Sequence, residues 1–140
     1  MSLRNDFAEN IVDVLKDMQD PKPGLVTREP FEPEKLAITQ FPALLVNSGN
    51  ETRIDYAVNK RQGIISYNIR AFLRGKDLDR IRNDMIERIE ETLSADTYRG
   101  SLKRDVNTQI TSIQVIDRLS PLAEVAVTVE VKYLYNKGEL

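Results

Sequence analysis

The side chains in this chain that could do chemistry are carboxylates, tyrosines and bases, because histidine and cysteine are both absent. Their absence excludes an imidazole general base, a Ser-His-Asp triad, a thiolate nucleophile and any His- or Cys-ligated metal within the chain. Asp77 and Asp79 could pair on a hard cation. They also fall where a helix should begin, so Asp77 reads as its N-cap and Asp79 as an acid favoured by the helix dipole. Asp13, Asp17 and Asp20 recur at helical spacing without an EF-hand pattern, which reads as a solvated face. Glu87, Glu90 and Glu91 could supply an acid–base pair, but nothing apolar beside them would raise a carboxyl pKa. No phosphate-cradling glycine motif occurs. These residues point away from an enzyme and call for no metal and no cofactor.

Tyr67, Tyr133 and Tyr135 stand near basic residues and could stack nucleobases. Their alternation phase, however, groups them with valines and isoleucines, which assigns them to a core or an interface. The net charge is −2 and the pI is about 5.3. Gripping nucleic acid needs a clustered basic surface, and the local pair Lys60-Arg61 does not amount to one. A surface that DNA passes without sequence-specific binding remains compatible with this balance.

The elements that must position these residues suit one folded domain over 1–140. The chain is 41% hydrophobic and 30% charged, a composition that argues against disorder. No apolar run is long enough to span a bilayer, and the N-terminus lacks the apolar core of a signal peptide. Met1-Ser2-Leu3 has the form of a vector-derived leader.

Residues 3–18 carry Phe7, Ile11, Val14, Leu15 and Met18 at helical steps, and Pro21, Pro23 and Gly24 end that helix. Leu25-Val26-Thr27 reads as a short strand, and Pro33 opens a single helical turn. The run 41–46 fits a strand buried on both faces. Asn47-Ser48-Gly49-Asn50 is a turn signal, as is 59–63. Residues 64–73 alternate, with Ile65, Tyr67, Ile69, Ala71 and Leu73 on one face. A second helix over 78–93 carries Leu78, Ile81, Met85, Ile89 and Leu93, with Asp84 and Arg88 as an i,i+4 pair. The stretch 94–105 is a polar connection. Residues 110–116 and 123–135 form an antiparallel hairpin, whose valine row 125–131 specifies the register tightly.

This order predicts an α+β fold. An antiparallel or mixed β-sheet carries two main amphipathic helices on one face, and a β-hairpin projects from it. The hairpin is the long polar stretch 46–63. There Arg53, Asp55, Tyr56, Lys60 and Arg61 mix both charges with one aromatic, which suits docking on a neighbouring protein.

The same order resembles the tail terminator (tail completion) proteins of bacteriophages and prophages. The resemblance rests on an amphipathic N-terminal helix, a Pro-rich link, the run Phe41-Pro42-Ala43-Leu44-Leu45-Val46 and a polar hairpin. The strand 64–73, a helix ending Glu91-Thr92-Leu93-Ser94-Ala95-Asp96, the run Ile110-Thr111-Ser112-Ile113-Gln114-Val115 and a long strand reaching Lys132-Tyr133 complete it. It implies a homo-oligomeric ring, commonly a hexamer, on the end of the tail tube. Such a ring stops tube polymerisation and meets the head–tail connector protein, and DNA passes through its centre. The expected location is the tail or neck of the virion, and the host cytoplasm during assembly. The alternatives are a head–tail connector or neck protein and, outside virion structure, a small-ligand-binding α+β domain.

Overall fold

The computed structural model describes residues 2–100 and 105–139. Met1 of the expected leader and the middle of the polar connection 94–105 therefore lie outside the described residues. Helix α1 spans Leu3–Lys16, and its N-cap is Ser2, whose hydroxyl accepts the Asn5 N–H at 3.3 Å. Its apolar stripe buries Phe7, Ile11 and Leu15. Helix α2 spans Leu78–Ser94 and buries Met85, Ile89 and Leu93. Asp77 sits at its N-cap position, but in the left-handed region (φ 53°), and its carboxylate caps nothing. The first turn closes instead through the Asp77 carbonyl, which accepts the Ile81 N–H at 3.0 Å. Arg88 turns to Glu91 at 2.8 Å and to the Asp20 carbonyl at 3.1 Å, in place of the expected Asp84 pair.

The strands are β1 (Leu25–Thr27), β2 (Ala43–Ala57), β3 (Lys60–Arg74), β4 (Asn107–Ile116) and β5 (Leu122–Asn136). They form a five-stranded sheet in the order β1-β2-β3-β5-β4. β1 lies parallel to β2 and every other pairing is antiparallel, so the fold is α+β with a mixed sheet. Both helices cover one face, where Phe7, Ile11, Met85 and Ile89 join Tyr67, Ile69, Val127 and Val129 in the main core. Each such side chain contributes about 1.5–3 kcal/mol by leaving water. A slip of β5 by one residue would expose its whole valine row, and this fixes the β3–β5 register.

Among the described residues, the opposite face carries a buried apolar cluster at one end. There Ala43, Leu45 and Phe72 meet Phe31, Leu36 and Phe41 from the connection between β1 and β2. Two short 3₁₀ turns, Pro33–Lys35 and Ile38–Gln40, shape that connection. No described helix is long and apolar enough to cross a membrane.

Two turn expectations need correction. Asn47-Ser48-Gly49-Asn50 lies inside β2, where a bulge falls between the pairs Ser48↔Tyr67 and Glu51↔Ile65. Polar residues and a glycine mark a β-bulge as well as a turn, because both need a local break in the ladder. The chain reverses at Val58-Asn59 rather than across 59–63; Asn59 takes the left-handed geometry (φ 63°) and β3 begins at Lys60. Gly63 is a strand residue packed under the Tyr133 ring, where a Cβ would overlap ring carbons. The β2–β3 hairpin does not stand alone, since β5 runs beside β3 out to the pair Lys60↔Asn136.

Candidate protein interface

The bulge decides what the far half of β2 presents. Across it β2 advances three residues while β3 advances two, so the side-chain phase shifts by one. Glu51, Arg53 and Asp55 thereby oppose Ile65, Gly63 and Arg61 on the helix-bearing face, and Thr52 and Ile54 turn to the helix-free face. A Cβ at Gly49 would stand 2.9 Å from the Ser66 carbonyl oxygen, so the bulge favours glycine there.

Glu51 is the hub of this region. Its carboxylate accepts the Tyr133 hydroxyl at 2.6 Å, the Arg53 Nε at 2.8 Å and the Arg4 Nη1 at 3.2 Å. Arg4 also donates to the Gly49 carbonyl inside the bulge. Burial pushes the Glu51 carboxyl pKa up, but the hydrogen bonds from Tyr133, Arg53 and Arg4 outweigh that and hold it below its ordinary value. Burial, then the bond to Glu51, pushes the Tyr133 phenol up, so it stays a proton donor. Arg53 lies 5.6 Å from the Tyr135 ring centroid as a cation–π partner.

The structure brings the five residues expected at an interface together at the distal end of the β2–β3 hairpin. Arg53 is held by Glu51. Asp55 pairs with Arg61 at 3.2 Å and with Lys137 at 3.9 Å, and Arg61 also donates to the Arg53 carbonyl. Tyr56 (60% exposed) and Lys60 remain open to solvent. The three tyrosines considered for base stacking are core residues: Tyr67, Tyr133 and Tyr135 are all buried.

Strand edges complete the surface. β1 covers the outer edge of β2 only from Ala43 to Leu45, which leaves the outer side of 46–57 unpaired by any strand among the described residues. β4 is the other outer strand, with no strand beyond it among the described residues. Exposed large apolar side chains gather on these two strands and the turns that leave them. Ile54, Tyr56 and Val58 lie on the first, and Ile113, Val115 and Leu119 on the second. Among the described residues, only Ile38 and Tyr98 are large, apolar and exposed elsewhere.

Sequence reasoning missed a second carboxylate. Glu124 is 0% exposed and is clamped between Arg70 and Arg118, each at 2.7 Å. Both guanidinium groups also lie over the Phe72 ring. Glu124 alternates with the valine row of β5 and so lies on the helix-free side, where the cover comes from the distant 31–41 connection. Arg118 continues to Glu34 in that connection at 2.9 Å and so ties it down.

A groove of about 480 Å³ opens near α2 and is lined by Ile38, Phe41, Pro42, Leu73, Ile81 and Met85. Asp20, Arg74 and Asp84 bring polar groups to it. Compared with models of protein families and with curated proteins, the sequence matches none.

Proposed function

We propose that this chain is a structural virion assembly protein, a tail terminator. It would cap the tail tube as a homo-oligomeric ring, end tube polymerisation and form the joint to the head connector. The observation that carries this reading is the two-sided sheet, with one open strand edge at β2, another at β4 and exposed apolar side chains on both. A subunit with two different docking edges joins head to tail, and head-to-tail contacts close into rings when the rotation per copy allows. The order of elements that resembles the terminator family adds to it.

The test is mass measurement in solution, followed by addition of the chain to polymerising tail tubes. A terminator assembles into a closed ring, alone or on the tube, and shortens the tube distribution. A chain that stays monomeric in both settings and leaves tube length unchanged overturns the reading. Binding to portal-bearing heads but not to tubes would favour the connector or neck role instead.

The groove beside α2 supports a second reading, a small-ligand-binding domain. Its volume and its apolar walls with a few polar groups fit a small apolar molecule carrying one charge. Ligand-observed NMR against a fragment set, repeated with Met85→Trp to fill the groove, separates specific occupancy from none.

A further inference from the structure

We infer that neighbouring copies of this chain join by antiparallel pairing of β4 in one copy with the outer edge of β2, residues 46–57, in the next. The inference rests on the ring reading above and names the contact that would build it.

Strand direction comes first. β2, β3, β5 and β4 are successive antiparallel neighbours, so β4 runs opposite to β2 within one sheet. Copies related by rotation about an axis along the strands share one strand direction. The β4 of one then meets the next β2 antiparallel, the same pairing type as the ladders inside the sheet.

Charge comes second. The β4 sequence, Asn107–Ile116, contains no charged residue, no proline and no glycine, in a chain that is 30% charged. Unpaired outer strands are usually guarded by charge, proline or a covering loop, because an open edge recruits other strands. The β4 strand itself carries neither charge nor proline over its ten residues. The facing segment of β2 does carry Glu51, Arg53 and Asp55, but each is already paired within its own copy. Joining the edges therefore buries no unpartnered charge and sets no like charges side by side. On the helix-free face the join would bring Thr52 and Ile54 beside Gln109, Ser112 and Gln114, all uncharged.

Apolar exposure comes third. By strand phase Ile54 lies on the helix-free face and Ile113 and Val115 on the helix-bearing face. The join would therefore shield Ile54 beside Gln109, Ser112 and Gln114, and Ile113 and Val115 beside the ion-paired row Glu51, Arg53 and Asp55. A two-fold β4–β4 contact would leave the β2 edge and Ile54 open and would stop at a dimer.

The absence of cysteine makes a clean test possible. Thr52→Cys and Ser112→Cys place thiols at exposed positions on the helix-free face of the two edges. The full chain carrying both is treated with a short bismaleimide at high protein concentration, and its fold is checked by circular dichroism. The expected result is a covalent ladder of dimers, trimers and higher species. That ladder is lost in the double variant Thr52→Cys/Ser94→Cys, whose second thiol sits on α2 and not on either edge strand, and it is lost again when Ile113→Lys and Val115→Lys are added. A linked dimer from Ser112→Cys alone, with no ladder from the pair, overturns the inference in favour of β4–β4 pairing. A wild-type closed oligomer without Thr52–Ser112 linkage overturns the edge contact and leaves the ring standing. A ladder without any closed species keeps the edge contact and removes the ring.

Discussion

Replacing Tyr133 with Phe tests whether Glu51 organises the distal sheet. The substitution removes one hydroxyl and leaves the ring packed edge-on against Phe7 (centroids 5.8 Å apart) and beside Tyr135 (5.7 Å). The loss is therefore a single hydrogen bond of 2.6 Å to a carboxylate. Bonds to charged groups contribute about 1.5–3 kcal/mol, and Glu51 keeps Arg4 and Arg53, so we expect the low end, about 1.5–2 kcal/mol. In a chain of this size that lowers Tm by roughly 4–8 °C. Urea titration followed by circular dichroism reads it directly, provided the transition is two-state.

The same variant has a pH signature. Glu51 has a folded pKa below its unfolded one, so the stability it contributes is fully present above the unfolded pKa and is lost as pH falls through the folded pKa. Tyr133 supplies part of that depression. The wild-type advantage over Tyr133→Phe is thus full at neutral pH and narrows as Glu51 protonates. A neutral-pH difference below about 0.5 kcal/mol, the size of an ordinary surface change, refutes the hub role. A difference that stays constant into acid refutes the charged acceptor.

Gly63→Ala should destabilise the fold by about 2–3 kcal/mol, because the new methyl overlaps a ring held by Glu51 and Phe7. A change within experimental error in the same titration would mean that the ring yields freely. Glu124→Gln should lose about 3 kcal/mol, since it leaves two guanidinium groups facing a neutral amide in a fully buried position. Arg118→Ala should lose less, about 1–2 kcal/mol, because Arg70 still holds Glu124. If Arg118→Ala proves the costlier of the two, Glu124 is not the centre of the clamp.

Much of this fold was legible in the sequence because hydrophobic period is a local signal. The stripe Phe7, Ile11, Leu15 and the valine row of β5 each declare their element and their buried face without outside help. The misreadings arose where two structures share one local chemistry. Asn47-Ser48-Gly49-Asn50 has the composition of a turn, and the pairing of β2 with β3 on both sides of it makes it a bulge. Asp77 has the side chain of an N-cap, but the left-handed backbone there leaves the first-turn bond to its carbonyl. The Glu124 clamp was illegible because its closest partners are Arg70, 54 positions away, and Arg118, whose outer end reaches Glu34. The hairpin residues Arg53, Asp55, Tyr56, Lys60 and Arg61 were legible as a surface group, since mixed charge and one tyrosine fill a long polar stretch. Their division into tethered Arg53, Asp55 and Arg61 and free Tyr56 and Lys60 was not.

The tethering bears on how the β2 edge could serve as a docking strip. An edge strand that frays must be ordered at the moment of contact, and that ordering subtracts from the affinity. Here Arg4 in α1 reaches both the Glu51 carboxylate and the Gly49 carbonyl, while Tyr133 in β5 holds Glu51 from the other side. The bulge is thus fixed from a helix and from a strand two places away in the sheet. Because the bulge sets the phase of everything after it, this also fixes which side chains point to which face. Loosening the hub by Tyr133→Phe should then weaken assembly as well as folding, although Tyr133 is buried and cannot touch a neighbour. A variant that loses stability as expected but assembles with unchanged affinity would separate the two roles and show that the edge orders itself on contact.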